Sequence, residues 1–227
     1  MNTFDLRAVR RSLGWTQKQT AEHLSVSQAL VSMVENRQRS LTAALQYRLA
    51  SHYKLNPVHL PLREPVPTSD SDYARELANL GYPGFAHRKD NNEKPSWNPA
   101  QLAVMALSAN TLDRRVAEGF PWLVLRYWDA DWNWALQQLK VQDLQNRLGF
   151  VVTLARELAR QNGLGSLDHL QRLESQVERS RLVRQDTFCN ERMTQTERKW
   201  LQTQTSPQAQ HWNLLCDLRS EHLAHVS

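Results

Sequence analysis

The sequence predicts an all-α protein in two unequal parts, and three observations predict it. Apolar residues recur at helical spacing through most of the chain; period-two alternation is nearly absent; and glycine is scarce, at 7 in 227 residues. The fourth feature, which divides the chain, is the stretch NPVHLPLREPVPTS with Pro57, Pro61, Pro65 and Pro67. Each proline removes an amide donor and drives the residue before it toward extended geometry, so no helix crosses this semi-rigid linker. The expected division is 1–56 as an N-terminal domain of four or five helices, 57–69 as a Pro-rich linker, and 70–227 as a helical domain.

Taken in chain order, Phe4, Leu6, Val9 and Leu13 space a first helix. Thr16 is placed to cap a second, from 17 to about 24, and Ser27 a third, from 28 to about 36, because their hydroxyls accept the free amides of a first turn. The break Ser25-Val26-Ser27 forces a sharp angle between them. Ala21 is small where the two helices must approach, and Val26, Val31 and Val34 supply the apolar contacts that a helix-turn-helix needs. Leu41, Ala44, Leu45, Leu49 and Tyr53 close the domain with one or two more helices. Beyond the linker, Leu144, Leu148, Val151, Ala155 and Leu158 form one apolar stripe, and Leu167, Leu170, Leu173 and Val177 begin another. Breaks are expected at 81–84, 89–99, 129–131, 162–166 and 206–207.

Charge divides the same way. Residues 1–64 hold nine Lys or Arg against four Asp or Glu, whereas 65–227 hold nineteen of each, so the whole excess of +5 lies at the N-terminus. A compact basic module on a neutral one suits a protein that holds a polyanion at one end; a solubilising surface is the alternative. Cys189 and Cys216 are too few for a disulfide scaffold or a structural zinc site and read as reduced core thiols. No apolar run nears the ~18 residues that span a bilayer, and MNTFDLRAVRR lacks the apolar stretch of a secretion signal, so no membrane partner and a cytoplasmic location are expected.

With Leu13-Gly14, Thr16-Gln17, Ala21, Leu24, Val26, Ser27, Val31 and Glu35 in register across residues 4–55, the N-terminal part resembles the Cro and phage-repressor family of helix-turn-helix domains, also called the xenobiotic-response-element type. Two positions depart from its pattern: Thr20 stands where leucine is usual, and Ser25 where glycine accommodates the turn. The resemblance implies a DNA-binding transcription regulator. It places Gln17, Ser32, Arg37, Gln38 and Arg39 beside DNA phosphates, Gln28, Ala29 and Met33 on the base-reading face, and Arg10 with Glu35 in a structural ion pair. The chemistry agrees: glutamine donates to and accepts from an adenine edge, and a methyl or thioether lies against a thymine methyl, so an A·T-containing half-site is expected. One such domain reads half a site, which implies a homodimer on a near-palindromic segment of double-stranded DNA.

The second part carries no comparable motif. Its densest feature is GFPWLVLRYWDADWNWALQQL, with four of the eight tryptophans. Tryptophans at helical spacing suit a core; Arg126, Trp128, Trp132 and Trp134 also suit an interface patch for a protein partner. Asp129 and Asp131 precede a helix as caps better than as metal ligands, and His222 with His225 lacks the acidic partner of a zinc protease. GLGS at 163–166 lacks the lysine and spacing of a phosphate loop, and no serine is flanked by glycines as a nucleophile. No enzyme, cofactor or metal is therefore expected. LANLGYPGFAH, WNPAQLAVMAL and LQNRLGFVVTLAREL resemble segments of bacterial regulators that sit beside toxin or phage-defence genes. The reading is thus a homodimeric repressor; the rivals are an antitoxin that neutralises a partner toxin and autoregulates its operon, and a ligand-sensing repressor with a pocket lined by Trp122, Trp128 or Trp134.

Overall fold

The computed structural model describes residues 5–53, 55–62, 68–89 and 95–223; Phe4, Pro65, Pro67 and His225 lie outside the described residues. Among the described residues the fold is all-α apart from one very short strand pair and an isolated bridge between Thr111 and Asn190. Four helices come first: α1 (Leu6–Ser12), α2 (Gln17–Leu24), α3 (Gln28–Glu35) and α4 (Ala43–His52). Each opens on the side chain the chemistry requires, with Asp5, Thr16, Ser27 and Thr42 accepting a first-turn amide. Leu6, Val9, Ala21, Leu24, Val31, Val34, Leu41 and Leu49 bury a core of their own. Thr20 is fully buried within it, and its hydroxyl donates to the Thr16 carbonyl at 3.0 Å, so the polar atom that replaces the usual apolar side chain is satisfied one helical turn back.

After Asn56 the chain makes a 3-10 turn, Pro57–His59, and then continues into α5 (Asp70–Leu80), a second 3-10 segment, Pro83–Arg88, and helices α6 (Pro99–Leu107), α7 (Arg114–Arg126), α8 (Trp132–Lys140), α9 (Gln145–Gln161) and α10 (Leu167–Glu178). The last part holds β1 (Asp186–Thr187), α11 (Gln195–Gln204), α12 (Pro207–His211) and β2 (Leu214–Leu215). Helix α9 is the axis of this body: every residue from 145 to 155 is buried, as a helix enclosed on all sides must be, with α7, α8, α10 and α12 packed around it. Gly149 lets Trp212 lie against it, for a Cβ there would stand 2.4 Å from the indole ring. The Trp212 indole N–H donates to Thr153 Oγ1 at 2.7 Å, so its burial leaves no orphan donor.

The expected breaks at 129–131 and 162–166 fall between helices, 206–207 and the described part of 89–99 end on the first residues of α12 and α6, and 81–84 runs into the 3-10 segment Pro83–Arg88. Three further breaks, at 108–113, 141–144 and 179–194, carry no proline or glycine that would have marked them. Leu144, expected as the start of a stripe, is the residue before α9 and only half-buried. The parallel pair Asp186↔Leu214 and Thr187↔Leu215 is the departure from purely helical expectation, and two residues are too few to show alternation. What holds it is Arg147 on α9, fully buried, whose guanidinium donates to Asp186 Oδ2 at 2.9 Å and to the carbonyls of Leu107 and Ala109 at 2.9 and 3.0 Å. Cys189 and Cys216 are free thiols, and burial pushes them up to about 11 and about 12.

Candidate nucleic-acid interface

The turn between α2 and α3 is closed by two backbone bonds, Ser25 N–H to the Glu22 carbonyl at 3.1 Å and Val26 N–H to the Ala21 carbonyl at 2.9 Å. That pattern requires a left-handed residue, and Ser25 adopts it at φ 54°, which is why glycine is common there. Helix α3 ends the same way: Arg37 is left-handed at φ 60°, with its N–H on the Val34 carbonyl and the Gln38 N–H on the Met33 carbonyl. The end of α3 thus turns Arg37, Gln38 and Arg39 outward as one exposed run.

Helix α3 buries Val31 and Val34 and leaves Gln28 and Ala29 exposed, with Ser32 and Met33 half-buried on the same side of the turn. Its orientation is set by a polar cluster on the other end. The Glu35 carboxylate, 1% exposed, accepts from Arg10 Nε at 2.5 Å, Arg10 Nη2 at 3.3 Å, Gln17 Nε2 at 2.9 Å and Arg7 Nε at 3.4 Å. Arg10 also donates to the Trp15 carbonyl at 2.8 Å, and Arg7 to Asn36 Oδ1 at 2.9 Å. One carboxylate therefore ties α1, the start of α2 and the end of α3 together. Burial alone would raise its pKa, but the hydrogen bonds from Arg10 and Gln17 and the charge of Arg10 outweigh burial and hold it below the usual carboxylate range.

The expected Arg10–Glu35 pair is present. Gln17, expected beside phosphate, is a member of the same cluster, its Nε2 donating one of its two amide protons to Glu35. Arg7 and Asn36 were missed, although Arg7 stands one helical turn before Arg10 and so shares its face. Also missed was the stack of Trp15 on His23, centroids 4.2 Å apart, with Tyr53 edge-on to Trp15 at 4.4 Å. These rings join α2 to the end of α4 and leave no mark in helical periodicity.

Four short helices, the third with an exposed start, form the N-terminal unit, and comparison with known proteins places it. Residues 6–60 match the family model described as helix-turn-helix. This segment is an XRE/Cro-type helix-turn-helix, a DNA-binding fold of transcription regulators. No curated protein and no solved structure matches the chain.

In the helical body, the structure corrects the grouping of Arg126, Trp128, Trp132 and Trp134. Trp132 is 3% exposed and its indole N–H donates to the Tyr127 carbonyl at 2.9 Å, so it is a core residue that cannot anchor a partner. Trp134 is half-buried against the same core. Arg126 is exposed over the Tyr127 ring at 5.5 Å, and Trp128 is 39% exposed, tilted on His169 with centroids 4.3 Å apart. An open depression of about 340 Å³ is lined by Trp128, Trp132, His169 and Arg172, while Trp122 is buried against Tyr82 and Tyr127 and is not among the residues that line it. Asp131 caps α8 through the Trp134 amide at 3.0 Å, and His222 is exposed on a 3-10 turn. Among the described residues no helix is long and apolar enough to cross a membrane.

Proposed function

We propose that the protein is a repressor that binds a near-palindromic operator as a homodimer, with 1–56 as the DNA-binding domain, 57–69 as the linker and 70–227 as the dimerisation and partner-binding domain. The observation that carries it is the exposed start of α3, braced from behind by the Glu35 cluster. In this reading Gln28, Ala29 and Met33 read bases, while Ser32, Arg37, Gln38, Arg39 and the other amide proton of Gln17 hold phosphates. A dimer places two such helices in successive major grooves, about 34 Å apart. A protein partner, such as a toxin neutralised by an autoregulating antitoxin, is the second reading, and the exposed Arg126 and Trp128 favour it.

The test is binding of the full-length protein to duplexes that carry one selected half-site or two inverted ones, with the mass of each complex measured by light scattering. Two protomers on the inverted pair, at an affinity at least about 100-fold above the single half-site, are expected from bivalent contact. One protomer per duplex, with equal affinity for both, would end the dimeric operator reading.

A further inference from the structure

We propose that Asn98 is a positioning residue for DNA binding: it clasps the segment that follows the helix-turn-helix to the helical body and so sets where α3 stands relative to that body. The proposal rests on the reading of the protein as a dimeric operator-binding regulator.

Asn98 is the N-cap of α6 and is 2% exposed. Its Oδ1 accepts from the Ala100 amide at 3.0 Å, the ordinary capping bond. Its Nδ2 does something a cap does not need, donating to the carbonyls of Val58 and Leu60, both at 2.9 Å and 40 and 38 residues upstream. One amide thus satisfies three backbone groups, two of them on the strap between the DNA-binding helices and the helical body. Asn98 is itself held in place: the buried Glu76 carboxylate accepts from the amides of Ser96 and Trp97, the two residues before it.

The strap has little slack. Tyr53 and Leu55 pack on the core of the DNA-binding helices, while Val58 and Leu62 pack on the core of the helical body and Leu60 and Pro61 are buried. Between Leu55 and Val58 stand only Asn56, whose side chain accepts from the Val58 amide at 3.3 Å, and Pro57, whose ring fixes φ. The 3-10 turn they form touches both α4 and α6. Across it, Asp5 and Gln46 from the DNA-binding helices face Asp129 and Asp131 of the body over a cleft of about 290 Å³. The clasp, therefore, is a polar fastening added to the apolar contacts of this joint. If the body dimerises, a fixed joint permits one separation of the two reading helices, and a loose joint permits several.

The experiment uses the full-length protein with two variants that remove both clasp donors. Asn98→Asp keeps an oxygen for the Ala100 amide but turns an anion toward the two carbonyls; Asn98→Ser keeps a capping hydroxyl for α6 and has no donor that reaches both. Each is offered a library of duplexes in which two inverted half-sites are separated by every spacing over one helical turn, and retained sequences are counted. The wild type is expected to hold one spacing. Both variants are expected to spread over neighbouring spacings, their discrimination falling by about tenfold, as loss of two hydrogen bonds of ordinary net worth implies, with the half-site sequence unchanged. Retention of wild-type discrimination by either folded variant overturns the proposal and leaves the operator reading intact. If Asn98→Asp does not fold, Asn98→Ser decides. A wild type without any spacing preference overturns both.

Discussion

Arg10 on α1 and Glu35 at the end of α3 meet at 2.5 Å around a carboxylate that is 1% exposed, and this contact holds α3 against α1. Arg10→Ala leaves the buried carboxylate with only the longer Arg7 contact and Gln17. The expected cost is about 3 kcal/mol for the unfolding of the DNA-binding helices, read by urea denaturation. Replacing both partners, Arg10→Met with Glu35→Leu, removes the buried charge as well, so the double variant should be more stable than Arg10→Ala alone. A double variant that is the less stable of the two would show that the pair is not what holds α3.

The same pair gives a pH dependence of known sign. Glu35 is held below its unfolded value of about 4.3, so its contribution is fully present above that pH and is lost as pH falls through the folded value. Denaturant midpoints are expected to be level from about pH 7 to 5 and to drop below about pH 4, with a smaller drop in Glu35→Gln. Identical acid profiles for the two proteins would assign the loss to other carboxylates.

Ser25 and Arg37 both sit at positive φ, 54° and 60°, where a side chain costs about 1 kcal/mol relative to glycine. Ser25→Gly should raise stability by roughly 0.5–1 kcal/mol and leave DNA binding as it is. Arg37→Gly should also raise stability, yet, if the strained residue holds a phosphate as proposed, weaken binding to all sequences and lower the salt slope by about one unit. Arg37→Gly with unchanged salt dependence would remove Arg37 from the interface.

Gln28→Ala separates reading from holding. It is expected to cost about 1–3 kcal/mol on the selected operator and almost nothing on random DNA, whereas Arg39→Ala should weaken both alike. Competition binding at fixed salt measures the difference, and equal losses from Gln28→Ala on the two duplexes would show that it reads no base.

Trp132 and Trp128, four residues apart in sequence, should behave in opposite ways. Trp132→Ala empties a core position and is expected to cost about 3–5 kcal/mol, lowering the calorimetric midpoint. Trp128→Ala, at an exposed site, should cost under about 1 kcal/mol and alter only association, visible by light scattering. A Trp128→Ala variant that melts like Trp132→Ala would place it in the core instead.

The sequence by itself determined what depends on neighbours within a turn or two. Caps at Thr16 and Ser27, the small Ala21 and the apolar spacing of Val31 and Val34 are local rules, and they made the helix-turn-helix legible. The Arg10–Glu35 pair joins residues 25 apart and was legible only through family resemblance, since nothing in either segment states that they meet. The sequence grouped tryptophans at 128, 132 and 134 as neighbours on either side of an expected break, but which ring faces inward depended on where Tyr127 and His169 lie, and that is a matter of packing. Only tertiary structure brought Asn98 to the carbonyls of Val58 and Leu60 and Arg147 to the strand pair. Those side chains answer backbone groups about 40 residues away, and the positions of unpaired carbonyls do not exist until the chain has folded around them.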